Sequence, residues 1–271
     1  MSPRFLAAAV QLCAGSDKAA NFETAARLAR NAAERGAKLV VLPEVFFWRG
    51  KREDERAAAE SIPGPTTDRL ARLAAELRVY LVGGSLLETA PNESRAYNTS
   101  PVFDPSGTLL ATYRKIHLFD VDISGHVSVR ESDTRMPGAE PVTVRTELAT
   151  LGLSVCYDLR FPELYRRLSE RGAEVVCVPS AFTFPTGAHH WEILLRARAI
   201  ENQVYVIAPN QIGRGASGVA DFGHSLIVDP WGTPIARASN QEGVALAEID
   251  LDYLARVRRE LPCLTHRTLR V

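Results

Sequence analysis

The chain has 271 residues, 46% of them hydrophobic, with 32 Lys plus Arg against 32 Asp plus Glu and a formal net charge of zero. That length suits one large α/β domain or two small ones, and the apolar content supports a core that needs no metal or disulfide staple. Balanced charge argues against nucleic acid as a partner and against an acidic disordered tail, so a small soluble molecule is the expected partner.

The N-terminus, Met1-Ser2-Pro3-Arg4, lacks a signal-peptide pattern and no apolar run reaches membrane-spanning length, so a cytoplasmic protein without a membrane partner is expected. Cys13, Cys156, Cys177 and Cys263 are then read as reduced thiols. Residues 5–12 predict a strand and 17–35 a helix stopped by Gly36. Residues 38–42 read as a strand, and 67–78 as a helix with Thr66 as its N-cap. Strands follow at 80–87 and 97–103. The glycosylation patterns Asn92-Glu93-Ser94 and Asn98-Thr99-Ser100 carry little weight in a protein that is not exported. Asp104-Pro105-Ser106-Gly107 is a turn into a strand at 109–113. Residues 115–141 form a long irregular stretch, polar and carrying Gly125, Pro137 and Gly138. A loop that long inside a domain is usually functional.

The second half repeats the theme. Residues 150–156 predict a strand, 162–171 a helix ended by Gly172, 175–178 a strand, 189–202 a helix and 204–208 a strand. Residues 225–228 lead into Asp229-Pro230-Trp231-Gly232, a turn that echoes the earlier one and is followed by another strand. A last strand at 244–249 and a helix at 251–260 precede a tail, 261–271, expected to pack on a dimer partner. No linker rich in Pro, Gly or Ser separates the halves. The expectation is a single domain over residues 1–271, α/β in class, with helices covering the outer faces of two sheets.

Three buried runs stop abruptly at polar or reactive residues: Leu39-Val40-Val41-Leu42 at Pro43-Glu44, Leu151-Gly152-Leu153-Ser154-Val155 at Cys156-Tyr157-Asp158, and Val175-Val176-Cys177-Val178 at Pro179-Ser180. Ligands bind beyond the carboxyl ends of strands in open α/β sheets, so Glu44, Cys156 and Ser180 can share one site. Cys156 at such a turn is a candidate nucleophile, and the Tyr157 N–H just after it can serve a developing oxyanion. A free cysteine is also a small core hydrophobe, which suits Cys13 and Cys177 better; Cys263 is given no role. A thiol needs a base. His117, His126, His189, His190, His224 and His266 show no Cys–His context, whereas Glu44, between a proline and Val45-Phe46-Phe47-Trp48, can act as a desolvated base. Lys115, in Tyr113-Arg114-Lys115-Ile116-His117-Leu118-Phe119, can supply a fixed positive charge to a tetrahedral intermediate, or snorkel at the surface as most lysines do. Gly213-Arg214-Gly215-Ala216-Ser217-Gly218 spells G-x-G-x-x-G, but a strand rather than a helix is expected after it. His189, His190 and Glu192 lack the H-E-x-x-H zinc spacing.

These segments together resemble the nitrilase superfamily of carbon–nitrogen hydrolases. The likeness covers nearly the whole chain and rests on Leu42-Pro43-Glu44, on Tyr113 to Leu118, and on Ser154-Val155-Cys156-Tyr157-Asp158-Leu159-Arg160-Phe161-Pro162-Glu163. Pro179-Ser180-Ala181-Phe182, His190-Trp191-Glu192, Arg196 to Asn202, and His224-Ser225 add to it. The resemblance implies a four-layer α-β-β-α sandwich, a homodimer or higher oligomer of dimers, no metal and no organic cofactor. It implies a catalytic Glu44, Lys115 and Cys156, with Glu131 supporting the lysine and the Tyr157 N–H serving the oxyanion. The run Thr186-Gly187-Ala188-His189-His190-Trp191-Glu192 looks most like the branch of omega-amidases and deaminated glutathione amidases. An amidase acting on linear amides is implied. Its substrate is then a small carboxylate-bearing amide, with Arg160, Ser180, Thr183 and Thr186 as candidate partners of the carboxylate. Phe182 is a candidate wall of that pocket, although it and Trp191 suit the core as well, and Arg160 suits a structural salt bridge equally. Hydrolysis of N-carbamoyl amino acids or nitriles is the alternative chemistry, and a non-catalytic binding or scaffold protein the alternative class.

Overall fold

The computed structural model describes residues 4–125, 127–215 and 218–269. Its first half runs through β1 (Arg4–Gln11), α1 (Lys18–Glu34), β2 (Ala37–Val41), α2 (Glu55–Ala58), α3 (Pro65–Leu77), β3 (Tyr80–Val82), β4 (Leu86–Thr89), β5 (Ala96–Phe103) and β6 (Leu109–Arg114). A connecting segment holds the hairpin β7 (Asp120–Ile123) and β8 (Val127–Arg130) and the short β9 (Arg135–Met136). The second half contains β10 (Val142–Arg145), β11 (Thr150–Leu153), α4 (Pro162–Glu170), β12 (Val175–Cys177), α5 (Phe184–Asn202) and β13 (Tyr205–Ala208). It closes with the hairpin β14 (Ile212–Arg214) and β15 (Ala220–Phe222), then β16 (Leu226–Val228), β17 (Pro234–Arg237), β18 (Gly243–Asp250) and α6 (Leu251–Glu260).

The two large sheets follow one plan. In the first, β1, β2 and β3 are parallel, β18 and β5 flank them antiparallel, and β6 pairs antiparallel with β5. In the second, β11, β12 and β13 are parallel, with β10 antiparallel on one side and β16 then β17 on the other. The two echoing turns occupy equivalent places, between β5 and β6 and between β16 and β17. Asp104 accepts the N–H groups of Ser106 and Thr108 at 2.8 and 2.9 Å, and Asp229 those of Trp231 and Thr233 at 2.9 and 2.8 Å. Gly107 and Gly232 both sit at φ +86°, which glycine adopts without a Cβ penalty.

Side chains alternate along the central strands. Ala7 and Ala9 of β1 and Leu39 and Val41 of β2 face a core shared with the second sheet. Ala8, Val10 and Val40 face a separate layer built by Phe22, Ala25 and Ala29 of α1 and Leu70 and Leu73 of α3. The second sheet is covered by Leu164, Tyr165 and Leu168 of α4 and Trp191, Leu195 and Ala199 of α5. Strands buried on both faces read as continuous apolar runs, which is how both halves look in sequence. The result is the expected four-layer α-β-β-α sandwich.

Several boundaries differ from expectation. Thr66 is not the cap of α3. Gly64 is, with Pro65 following in the first turn, and the Thr67 hydroxyl accepts the Gly64 N–H at 2.7 Å. The strand expected at 80–87 breaks in two. Gly84 sits at φ +61°, and a Cβ there would lie 2.1 Å from the Pro43 carbonyl oxygen. The break lets the chain after β2 pass, and the Ser85 hydroxyl accepts the Val45 N–H at 3.0 Å. The stretch 115–141 is not irregular, since it contains β7, β8 and β9. The strand expected at 150–156 ends at Leu153, and Cys156 opens a 3-10 turn, Cys156–Arg160. Helix α5 begins at Phe184, five residues before its expected start at 189, because Pro185 is tolerated in a first turn. Gly187 is tolerated inside it because the Phe222 side chain occupies the space a Cβ would need, 2.3 Å away. In the tail, the Leu261 carbonyl accepts the Gln203 amide at 2.6 Å and Arg267 pairs with Glu170 at 3.1 Å, so the tail is tied to its own chain at these two points. Met1-Ser2-Pro3, His126, Ala216-Ser217 and the last two residues of the tail lie outside the described residues. No helix among the described residues is long and apolar enough to cross a membrane.

Candidate active site

Four segments converge beyond the ends of their strands: Glu44 after β2, Lys115 after β6, Glu131 after β8 and Cys156 after β11. Exposure is 3% for Glu44, 2% for Lys115, 6% for Glu131 and 7% for Cys156. Charges so buried persist only when paired and hydrogen-bonded. Lys115 Nζ donates to Glu44 Oε1 at 2.9 Å and to Glu131 Oε2 at 2.8 Å. Burial, the largest influence on the ammonium, favours losing its proton, but Glu131 and Glu44 together outweigh it and hold its pKa above the ordinary range. For Glu131 burial favours the neutral acid, and Lys115 and Arg135 reverse that and hold its carboxyl below the ordinary value.

Each carboxylate has further anchors. Glu44 Oε1 accepts from the Asn98 amide at 2.7 Å, Oε2 from the Ala181 N–H at 2.9 Å, and its main-chain carbonyl from the Gln211 amide at 2.9 Å. Glu131 accepts the Phe119 N–H at 2.6 Å and an Arg135 N–H at 2.6 Å, and Arg135 is itself paired with Glu55 at 2.7 Å. The backbone of Lys115 is fixed on both sides, its N–H on the Asn98 carbonyl and its carbonyl on the Gly138 N–H, each at 2.8 Å. A Cβ on Gly138 would lie 2.2 Å from the Arg114 carbonyl oxygen, so this crossing needs glycine.

Cys156 has φ +48°, a left-handed conformation unusual for a side-chain-bearing residue. Such strain costs on the order of 1–3 kcal/mol and persists only when the surroundings over-determine it. Here the Cys156 N–H is held by the Pro179 carbonyl at 2.9 Å. Burial first, and then the Glu44 charge within hydrogen-bonding reach, push the thiol pKa well above the ordinary value, against the opposing pull of Lys115. The sulfur therefore rests protonated beside a carboxylate. The Tyr157 N–H finds no protein acceptor among the described residues.

These groups form the floor of a cavity of about 430 Å³. Tyr157, Arg160, Phe182, Thr183 and Thr186 line it, as does Trp48. Arg160 has no carboxylate within ion-pair distance among the described residues. Its guanidinium lies over the Phe182 ring, 5.1 Å from the centroid, and 3.2 Å from His190 Nδ1. The salt-bridge reading of Arg160 is therefore not what the fold shows. Ser180 is a correction. It is fully buried, its hydroxyl donates to the Val178 carbonyl at 3.0 Å, and it does not line the cavity. Pairing of its backbone with Pro209 and Gln211 turns the side chain into the core. Trp191 is likewise in the core, donating to the His224 carbonyl at 2.9 Å. No histidine among the described residues lines the cavity. His189 and His190 lie inside α5, and Glu192 beside them pairs with Arg237 and Arg196. Gly213, Gly215 and Gly218 belong to the β14–β15 hairpin, which leads into a strand.

The sequence pattern of the carbon–nitrogen hydrolase family matches residues 6–259. The chain belongs to that family. It is 41% identical to omega-amidase NIT2 of Xenopus tropicalis over 259 residues, 96% of this chain and 93% of that protein. It is 43% identical to deaminated glutathione amidase of Bos taurus over 267 residues, 97% of this chain and 81% of that protein. Its fold matches the crystal structure of Saccharomyces cerevisiae Nit3, a member of branch 10 of the nitrilase superfamily, with a TM-score of 0.89 and 35% identity over 98% of this chain and 97% of that one.

Sequence reasoning missed several residues of this carbon–nitrogen hydrolase site: Asn98, Arg135, Glu55, Gln211, and Arg49 with its partner Asp221. Asn98 left one usable trace. Asn98-Thr99-Ser100 is a polar run inside an apolar strand, and all three are fully buried, which rules it out as a glycosylation site in the folded chain. The others come from distant segments with no local pattern.

The paired state of Glu131 has a pH signature. Its carboxyl titrates below the ordinary 4.5 in the folded chain, so its stabilising effect is complete above that pH and is lost as pH falls below it. Denaturant unfolding at successive pH values should show the parent losing stability from about pH 5 to about pH 3 more steeply than Glu131→Gln. Equal slopes would contradict the ion pair.

Proposed function

We propose that this amidase of the nitrilase superfamily hydrolyses the amide of a small carboxylate-bearing molecule through a thioester on Cys156. What supports this reading is the Cys156 thiol, Glu44 carboxylate and Lys115 ammonium brought together in one cavity, with burial and Glu44 raising the thiol pKa. Because the thiol rests protonated, a base must act, and Glu44 is the carboxylate in reach. Glu44 takes the thiol proton as sulfur attacks the amide carbon. The oxyanion forms against a Lys115 N–H and the Tyr157 N–H, each such donor lowering the barrier by roughly 3 kcal/mol. The tetrahedral adduct collapses, the C–N bond breaks, and ammonia leaves with the proton from Glu44. Glu44 then deprotonates a water that attacks the thioester. Collapse of the second adduct releases the carboxylic acid, and the thiolate recovers its proton. Glu131 keeps Lys115 charged and aimed, with Arg135 and Glu55 behind it.

Substrate class follows from the walls. Arg160 is a cation facing the cavity without an acidic partner, and the Thr183 and Thr186 hydroxyls lie nearby, 3.0 Å from each other. A carboxylate would satisfy that guanidinium in the way carboxylates pair with arginine forks. The names of the two relatives, omega-amidase and deaminated glutathione amidase, favour an omega-amide or deaminated glutathione. The complete set of Glu44, Lys115 and Cys156 speaks against a scaffold that has lost catalysis. The chain acts as one domain in this reading, since both sheets share one core. Four unpaired cysteines support a reducing, cytoplasmic setting. Ile193 and Ile200 on one face of α5, with Trp231 beside them, are exposed apolar side chains that support a homodimer through that face.

Cys156→Ala should cut ammonia release from an omega-amide by at least about 10³-fold while the unfolding midpoint stays near that of the parent. Retained turnover would end the covalent scheme. In steady-state kinetics across a panel that includes N-carbamoyl and nitrile compounds, Arg160→Gln should raise KM for the carboxylate-bearing amide roughly 10-fold or more and leave an uncharged amide unaffected. Equal effects on both would remove Arg160 from recognition. Sedimentation equilibrium should give a dimer mass for the parent and a monomer mass for the chain carrying Ile193→Glu and Ile200→Glu. A parent that sediments as a monomer, or a dimer that survives both changes, would discard that face.

A further inference from the structure

We infer that Asp158 is a positioning residue that fixes the nucleophile segment against the lysine segment. The inference rests on the roles given above to Cys156 and Lys115. Asp158 is fully buried, two residues past Cys156, and does not line the cavity. Its Oδ1 accepts the His117 N–H at 3.0 Å and the His117 ring Nδ1 at 2.7 Å. Its Oδ2 accepts the Tyr113 hydroxyl at 2.7 Å and the Val155 N–H at 2.8 Å. Four donors occupy the four lone-pair sites of one carboxylate.

The placement of those donors carries the inference. Tyr113 and His117 stand two residues before and two residues after Lys115, and the Tyr113 hydroxyl also accepts the Ile116 N–H at 3.4 Å. Val155 immediately precedes Cys156. Tyr113 belongs to β6 of the first sheet, and Val155 follows β11 of the second. One buried carboxylate thus ties the two sheets together where the ammonium and the sulfur must meet. An ionised carboxylate only accepts, so the His117 Nδ1 carries a hydrogen. The ring is held flat against Phe161, with centroids 3.7 Å apart. Tyr113 stays a donor, because burial and Asp158 raise its pKa well above the ordinary value.

The left-handed backbone at Cys156 persists only where its surroundings hold it. The Pro179 carbonyl takes the Cys156 N–H, and Asp158 takes the Val155 N–H just before it. Without the carboxylate the two segments relax separately, and a displacement of about 1 Å costs on the order of 100-fold in rate.

The test compares Asp158→Asn, Tyr113→Phe and the double variant with a parent whose ammonia release has been shown to depend on Cys156. An amide in place of the carboxylate sets its own N–H donors against donors already there. Asp158→Asn is expected to lower kcat about 100-fold per folded molecule, with KM changed by less than about 3-fold. Alkylation of Cys156 by iodoacetamide should slow in parallel. Tyr113→Phe, which removes one of four contacts and no volume, should lower kcat about 10-fold and add little to Asp158→Asn, since both changes disable the same clamp. A lower unfolding midpoint with kcat and alkylation unchanged would make Asp158 purely structural and overturn the inference, as would additive effects in the double variant. If Asp158→Asn does not accumulate folded, Tyr113→Phe decides by the same kcat and alkylation criteria. A parent with no Cys156-dependent turnover would overturn the reading of the site itself, an outcome separate from failure of the clamp.

Discussion

Lys115 is an ammonium group almost out of contact with water, shared between the carboxylates of Glu44 and Glu131. Most other features of the centre follow from keeping that charge buried. Two acids against one base leave a surplus negative charge, which Arg135 offsets locally at Glu131, while Glu55 holds the Arg135 guanidinium in place. Removing the Lys115 ammonium strands a buried carboxylate without its partner, a loss that typically costs about 3–5 kcal/mol. The same network sets the chemistry. In the proposed reaction the positive charge stays fixed where an oxyanion would develop, while burial and the nearby Glu44 charge raise the Cys156 thiol pKa.

The fold makes this arrangement possible because both sheets share one strand plan and present their strand ends to a common seam. Glu44 leaves the first sheet and Cys156 the second, and their neighbours cross that seam. The Ala181 N–H, beyond the second sheet, holds the Glu44 side chain. Gln211, beyond β13, holds the Glu44 carbonyl. Asp158 holds both Tyr113 and Val155. Active groups placed on strand ends and cross-braced in this way are more rigid than groups on free loops. Glycines appear where segments cross too closely for a Cβ, at Gly84 against Pro43 and at Gly138 against Arg114.

Much of this was legible in the sequence, for physical reasons that also mark the limit. Strands buried on both faces gave unbroken apolar runs, and the paired Asp-Pro-x-Gly turns marked two equivalent hairpins. Glu44, Lys115 and Cys156 stood out because each interrupts or follows such a run, and the resemblance tied them together. Glu131 could be placed only through that resemblance, and its surroundings, read as irregular, turned out to be a hairpin. Elements whose boundaries depend on tertiary contact were misjudged: the early start of α5, the break at Gly84 and the true cap of α3. Ser180 was misplaced because a polar residue at a strand end can turn inward as readily as outward, and only its pairing with Val178 and Pro209 decides. Asn98, Arg135 and Gln211 act across long separations in the chain, which no local pattern encodes.

The central claim is that the scissile acyl group passes onto one sulfur. Acid quenching of the enzyme during turnover of an omega-amide, followed by mass analysis of the peptide carrying Cys156, measures that step directly. The account predicts a mass increment on Cys156 equal to the substrate less ammonia, removed by hydroxylamine. Turnover that proceeds with Cys156 blocked beforehand by alkylation, or an acyl group found on another residue, would contradict it.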